Sequence, residues 1–122
     1  MISKTIHRGD IVLVPFPFTD LSGAKVRPAV IISPDPQETD VLLAFISSVI
    51  PSGPVAATDF LLESFAPDFR PTGLKTTSVF KRKKITTIEG SRLGRMIGKI
   101  TPATQAQLDS RLLLAIGLSS NC

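Results

Sequence analysis

Two groups of cations in this chain are set where an anionic ligand would be held. The first is Arg27, followed at once by Pro28. Proline biases the residue before it toward extended geometry, which places Arg27 at the start of a strand with its guanidinium at the base of the preceding loop. A cation fixed beside a flexible loop is positioned to hold a phosphate. The second group is the run Lys81-Arg82-Lys83-Lys84. It is the densest part of a basic stretch in which Arg70, Lys75, Lys81, Arg82, Lys83, Lys84, Arg92, Arg95 and Lys99 face a single acid, Glu89. Such a local excess favours a polyanionic partner, nucleic acid or an acidic protein segment. A solvated basic face is the alternative.

Other chemistries lack their residues. There is no His/Cys cluster for zinc, no pair of carboxylates at metal-binding spacing and no G-x-x-x-x-G-K-[ST] phosphate loop. No metal or cofactor is therefore expected. The one cysteine, Cys122, has no partner within the sequence for a disulfide, and the one histidine, His7, reads as a surface residue of the N-terminal lead-in. No run of 18 apolar residues and no basic segment leading into an apolar one occurs, so neither a membrane span nor a leader is expected, and a cytoplasmic location fits best.

The elements that must position these cations are short. With 122 residues, 43% of them hydrophobic, and without repeats or a long linker, the chain reads as a single domain, 1–122. Residues 10–16 and 27–33 are β-branched runs on either side of Asp20-Leu-Ser-Gly-Ala24, a hairpin with a loose tip. Val41 to Ile50 is a third strand, Thr58 to Leu62 a short one, and Thr76 to Ile88 and Arg95 to Ile100 complete the set, with Phe69 to Leu74 a loop. Thr101 before Pro102 is a helix start, and Gly117 ends that helix after about four turns. Ala106, Leu112, Leu113 and Ile116 share its apolar face. Gly94 and Gly98 suggest close backbone approach. Five to seven mostly antiparallel strands and a C-terminal helix imply a small, strongly bent sheet or barrel.

The blocks Gly9-Asp10-Ile-Val-Leu-Val, Arg27-Pro28-Ala-Val-Ile-Ile, Phe45-Ile46-Ser47-Ser48 and Ser78-Val79 to Thr87-Ile88, in this order, resemble the MazF/PemK-like toxins of type II toxin–antitoxin systems. The resemblance runs from about Arg8 to the closing helix. It implies a small SH3-like barrel that forms homodimers and needs no metal. It also implies an endoribonuclease that cuts single-stranded RNA by 2′-OH attack, leaving 2′,3′-cyclic phosphate and 5′-OH ends, and that a cognate antitoxin silences.

By the same resemblance Arg27 is the catalytic arginine and Ser47 stands at the family's second catalytic position. A guanidinium fork binds a phosphoryl group through two hydrogen bonds and keeps its charge at any working pH. That suits transition-state stabilisation and leaves proton transfer by Arg27 open. Ser47 is suited to donate to a phosphoryl oxygen, although strand-end serines such as Ser47 and Ser48 also satisfy backbone groups. Strand alternation lets only one of the two face the site. Ser22, Gly23, Ala24 and Lys25 form the loop expected to close over RNA, and Lys81 and Lys84 are expected to contact it.

The chain departs from its relatives at Lys83, which stands where some members carry an acid. A lysine there binds phosphate, or acts as base if like charges depress its pKa. With no Trp or Tyr, base stacking would rest on Phe or Arg, with Phe16 and Phe18 as loop-side candidates that equally suit a core or dimer seam. A non-catalytic barrel binding nucleic acid or an antitoxin peptide is the competing reading.

Overall fold

The computed structural model describes residues 6–16, 25–34 and 40–118. In this part of the chain six strands form one antiparallel sheet. They are β1 (Asp10–Phe16), β2 (Lys25–Pro34), β3 (Asp40–Ser47), β4 (Asp59–Leu62), β5 (Ser78–Glu89) and β6 (Met96–Lys99), followed by helix α1 (Pro102–Ala115). Their spatial order is β4-β5-β3-β2-β1-β6. The mainly β architecture with a C-terminal helix is as the sequence suggests. Two local differences appear. β3 ends at Ser47 rather than near Ile50, because the Ser47 hydroxyl takes the Val49 N–H and turns the chain out of the ladder. The stretch from Phe69 to Leu74 also contains a short 3-10 helix, Arg70–Thr72.

Both faces are covered over the middle of β1, β2 and β3, which is why residues 11–14, 29–32 and 41–46 are continuously apolar rather than alternating. One face gathers Ile11, Val30, Ala44, Ile46 and Phe80 against Leu108 of α1 and Phe69. The other gathers Val12, Val14, Ala29, Ile31 and Leu43, with Phe45, Ile88 and Leu93 at its margin.

Glycines bring the two outer strands together. The 3-10 helix, carried on the connection from β4 to β5, packs on β6 at the far edge of the sheet. Gly98 of β6 lies so near the backbone of Pro71 and Thr72 that a Cβ would collide with it. Gly73, at φ 74, meets the Ile97 backbone in the same way. Gly94 approaches Leu13, to whose carbonyl it donates at 2.7 Å. Close backbone approach is therefore the role of both Gly94 and Gly98, as their position in an apolar strand run suggests. Buried Thr72 completes the joint, its hydroxyl donating to the Phe69 carbonyl (2.6 Å) and accepting from the Leu74 N–H (3.1 Å).

Helix α1 begins and ends at the residues expected. The Thr101 hydroxyl accepts from the Thr104 N–H at 3.2 Å, with Pro102 in the first turn. At the other end Gly117 adopts φ 84, its N–H donates to Leu114 O and that of Leu118 to Leu113 O, the two bonds of a Schellman ending. The buried stripe differs from the one expected. Thr104 and Leu108 are buried and Leu112 joins the core, whereas Ala106 and Ile116 are exposed. Thr104 can turn inward because its hydroxyl accepts from that of Thr101 at 3.2 Å, and positions four and eight residues on share its face. Arg111, one residue from that stripe, pins the edge strand by donating from Nε to Asp59 O (2.9 Å) while its guanidinium covers the Phe60 ring.

The Gly9-Asp10 motif is structural. Gly9 takes φ 94 and shares bonds with Ile31 O and Ile100 N, while buried Asp10 closes the turn by accepting from the His7 N–H at 2.8 Å. His7 itself is exposed.

Replacing Gly98 by Ala forces backbone apart at the joint between the outer strands. The variant should lose about 2–3 kcal/mol in urea denaturation. Gly53→Ala, at a site where a Cβ meets nothing within 4 Å, should stay within about 0.5 kcal/mol of the parent.

Candidate functional site

The site is assembled by strand register. Ala29 of β2 stands opposite Phe45 of β3. Continuing each strand by two residues brings Arg27 across from Ser47, on the face that carries Val14, Ala29 and Phe45. Arg27 is exposed and Ser47 half-buried. Two residues that no sequence pattern connects thus become cross-strand neighbours at one end of the sheet. The Val49 N–H donates to the Ser47 Oγ at 3.0 Å. That bond uses an oxygen lone pair and leaves the hydroxyl proton available for an external acceptor. Ser47 therefore serves the backbone and retains a donor for chemistry, so the two readings of this serine are compatible. Ser48 is exposed on the bend that follows β3.

The four-cation run is where β5 leaves its register. Ile46 pairs with Phe80, and Ala44 pairs with Ile85. Between those pairs β3 has one residue, Phe45, and β5 has four, Lys81–Lys84, so three extra residues are accommodated in β5. Sheet alternation explains why. In unbroken register two of the four cations would point at the face of Phe80 and Ala44, where they would lose hydration without gaining partners. Three extra residues, an odd number, also restore Ile85 to that apolar face. The neighbours of Phe80 and Ile85, Lys81 and Lys84, then fall on the opposite face, shared with Arg27 and Ser47. Lys81 is half-buried and Lys84 exposed.

The same register brings a carboxylate to the run. Asp59 of β4 stands across from Lys81, half-buried. The sequence gives no sign of this pairing, because Asp59 lies in a separate strand and no spacing rule connects the two. Of the remaining expected site residues, Lys83 belongs to β5 and Lys25 to β2, at whose start it pairs with Phe16. Ser22 and Gly23 lie outside the described residues, as does Phe18.

The arrangement offers a guanidinium fork and a hydroxyl on adjacent strands, with lysines one strand further on and on the same face. It suits a phosphodiester: the fork and hydroxyl address one phosphoryl group, and Lys81 and Lys84 address its neighbours. The Gly-Asp turn lies at the opposite end of β1 from Val14, the residue paired with Arg27, and so takes no part.

Comparison with known proteins agrees with the fold and the family. Residues 7–116 match the family model for the PemK-like, MazF-like toxin of type II toxin-antitoxin systems. No curated protein matches the sequence significantly. Among solved structures, an endoribonuclease in complex with its cognate antitoxin from a Mycobacterial species aligns with TM-score 0.68 at 23% identity, covering 93% of this chain and 97% of that one. The Mycobacterium tuberculosis toxin MazF-mt6 aligns at 0.67 and 23%, covering 92% and 99%. A MazE-MazF structure from Deinococcus radiodurans aligns at 0.72 and 17%, covering 96% and 100%. With the family model spanning nearly the whole chain, the protein belongs to the PemK-like, MazF-like toxins of type II toxin–antitoxin systems.

Proposed function

We propose that the protein is a metal-independent endoribonuclease that cleaves single-stranded RNA by attack of the ribose 2′-OH, giving 2′,3′-cyclic phosphate and 5′-OH ends. The observation that carries this reading is the register Ala29–Phe45, which, extended by two residues, sets Arg27 across from a Ser47 whose oxygen is already held by the Val49 N–H. Arg27 takes two phosphoryl oxygens and stabilises charge as the fifth bond to phosphorus forms; Ser47 donates to one of them and fixes the group for in-line displacement. Lys81 and Lys84 bind flanking phosphates. Proton transfer falls to Lys83, which stands where some relatives carry an acid, or to Asp59, which register sets across from Lys81. Ser48 is a further hydroxyl at the rim.

Partners follow from the same surface. The lysine-bearing face suits both RNA and the acidic segment of a cognate antitoxin, so the two compete for it. Val26 and Val49, 57% and 73% exposed beside Arg27 and Ser47, are the apolar surface that a homodimer would cover. No helix among the described residues is long and apolar enough to cross a membrane, and the reaction belongs in the cytoplasm with its RNA. The absence of an acid within Lys81–Lys84 favours a second reading, a barrel that binds RNA or antitoxin without cutting.

Mixed-sequence RNA incubated with the protein and excess chelator should be cut at discrete sites with the stated end groups. Ser47→Ala should lower kcat by about 10²-fold and Arg27→Ala by about 10³-fold or more. Intact RNA that is nevertheless bound by the parent protein establishes the second reading instead. Removing Lys81 and Lys84 together should leave kcat nearly unchanged. It should flatten the dependence of log affinity on log salt by about 0.7 per lysine, as measured by anisotropy on an RNA with a 2′-deoxy cleavage site.

A further inference from the structure

The connection between β4 and β5 forms a concave surface that the chemistry above does not use. Ser64, Phe65, Ala66, Pro67, Arg70 and Leu74, with Phe69 at its floor, line an open cleft of about 520 Å³, within the usual ~300–1,000 Å³ of small-ligand sites. Phe65 is 81% exposed. A large aromatic ring held so far into water forgoes the gain of burial, and the loop that carries it is not slack. Ser64 N–H donates to Thr77 Oγ1 (2.9 Å), Ala66 N–H to Glu63 O (2.9 Å) and Phe69 N–H to Ala66 O (3.0 Å). Phe69 is in turn part of the core. The ring is presented on a fixed platform.

We infer that this cleft is a base-binding subsite, in which Phe65 stacks on an unpaired nucleobase of the RNA and Arg70 hydrogen-bonds its edge. The inference rests on the endoribonuclease reading and adds a sequence-reading element to it. Position supports it: Leu62 pairs with Ser78 and Ser47 with Val79, so the loop leaves the sheet at the end where Arg27 and Ser47 stand. It then crosses to the opposite face, where Ala66, Phe69 and Leu74 pack, and RNA reaching the cleft passes around the β4 edge. Residue chemistry supports it as well. Single-stranded RNA is read by stacking on aromatic rings and by hydrogen bonds to base edges, and this sequence has no Trp or Tyr to do it.

Charge separates a base from a phosphate. Glu63 and Asp68 sit on the same loop, outside the lining of the cleft, and oppose a second anion there, whereas a neutral base is indifferent to them. Arg70 is exposed at the cleft, and the guanidinium fork matches the O6 and N7 acceptors of guanine. Guanine is accordingly the preferred base. The site lies at a distance from the scissile group, so it reads a flanking nucleotide, and its loss changes binding and sequence choice rather than the chemical step.

The test uses the full chain and a panel of single-stranded RNAs, each with one 2′-deoxy nucleotide at the mapped cleavage site and with each base in turn at the flanking positions. Phe65→Ala should weaken binding by roughly tenfold, and Phe65→Trp should restore it. Arg70→Ala should abolish the preference for guanine at one flanking position and leave Phe65-dependent affinity in place. In cleavage assays both should act on KM and on the pattern of cuts, with kcat near that of the parent. Equal affinity and an unchanged cut pattern in a folded Phe65→Ala protein overturn the inference. A change of oligomeric state in sedimentation, without a change in base preference, overturns it in favour of a contact between copies of the chain. Failure of the parent protein to bind any of the RNAs defeats the endoribonuclease reading itself, which distinguishes the two failures.

Discussion

A cation on a sheet strand cannot point at the face that packs in the core, and this one constraint shapes the region around the site. β5 carries four cations in succession between Phe80 and Ile85, both of which pack in the core. Regular pairing with β3 would drive two of the cations into apolar surroundings. The desolvation cost of an unpaired ammonium or guanidinium exceeds what a few ladder hydrogen bonds return. The ladder therefore breaks opposite Phe45, and Lys81 and Lys84 fall on the face of the strand ends that bear Arg27 and Ser47. The electrostatic character of the site follows from the apolar character of the core beneath it.

The opposite end of β1 shows how the rest of the chain keeps those strand ends in place. Gly9 and Asp10 close a turn that ties β1 to β2 and to the start of α1. The Arg8–Asp109 ion pair adds a surface contact to the helix, worth little by itself because both side chains are open to solvent. Arg111 holds the β4 edge through the Asp59 carbonyl, and the glycine contacts between β6 and the 3-10 helix join the two outer strands. Each of these fixes backbone rather than side chain. A site built from register needs that, since a slip of one residue in β2 or β3 would send Arg27 and Ser47 to opposite faces.

Much of this was legible in the residues. The proline after Arg27, the β-branched runs, the Thr101-Pro102 cap and Gly117 each specify local geometry directly, and the elements appear where these residues put them. Long-range pairing was less accessible. Nothing in Lys81-Arg82-Lys83-Lys84 reveals that three extra residues are taken up there, because the break exists only relative to β3. Asp59 meets Lys81 through pairing across the β4–β5 connection, which has no periodic signature. The helix face differs from the apolar spacing for a related reason: a polar Thr104, satisfied by the Thr101 hydroxyl, is buried where an apolar count selects Ala106 and Ile116. Ser22 and Gly23 lie outside the described residues, and their expected part in closing over RNA rests on the resemblance alone.

The site also shows why a serine followed by a turn suits this chemistry better than a serine within a strand. Had β3 continued, the Ser47 backbone would remain in the ladder while its hydroxyl, unconstrained, rotated among several acceptors. By ending at Ser47 the strand frees the Val49 N–H, which then occupies a lone pair of Oγ and narrows the directions left to the proton. A guanidinium fork on the adjacent strand already has a fixed donor geometry. Orienting the hydroxyl by a backbone bond gives the second donor a comparable definition without a further side chain. Preorganised donors act on developing phosphoryl charge with little reorganisation. The end of a strand is therefore an economical place to put them, with the ladder on one side to supply rigidity and solvent on the other to admit the substrate.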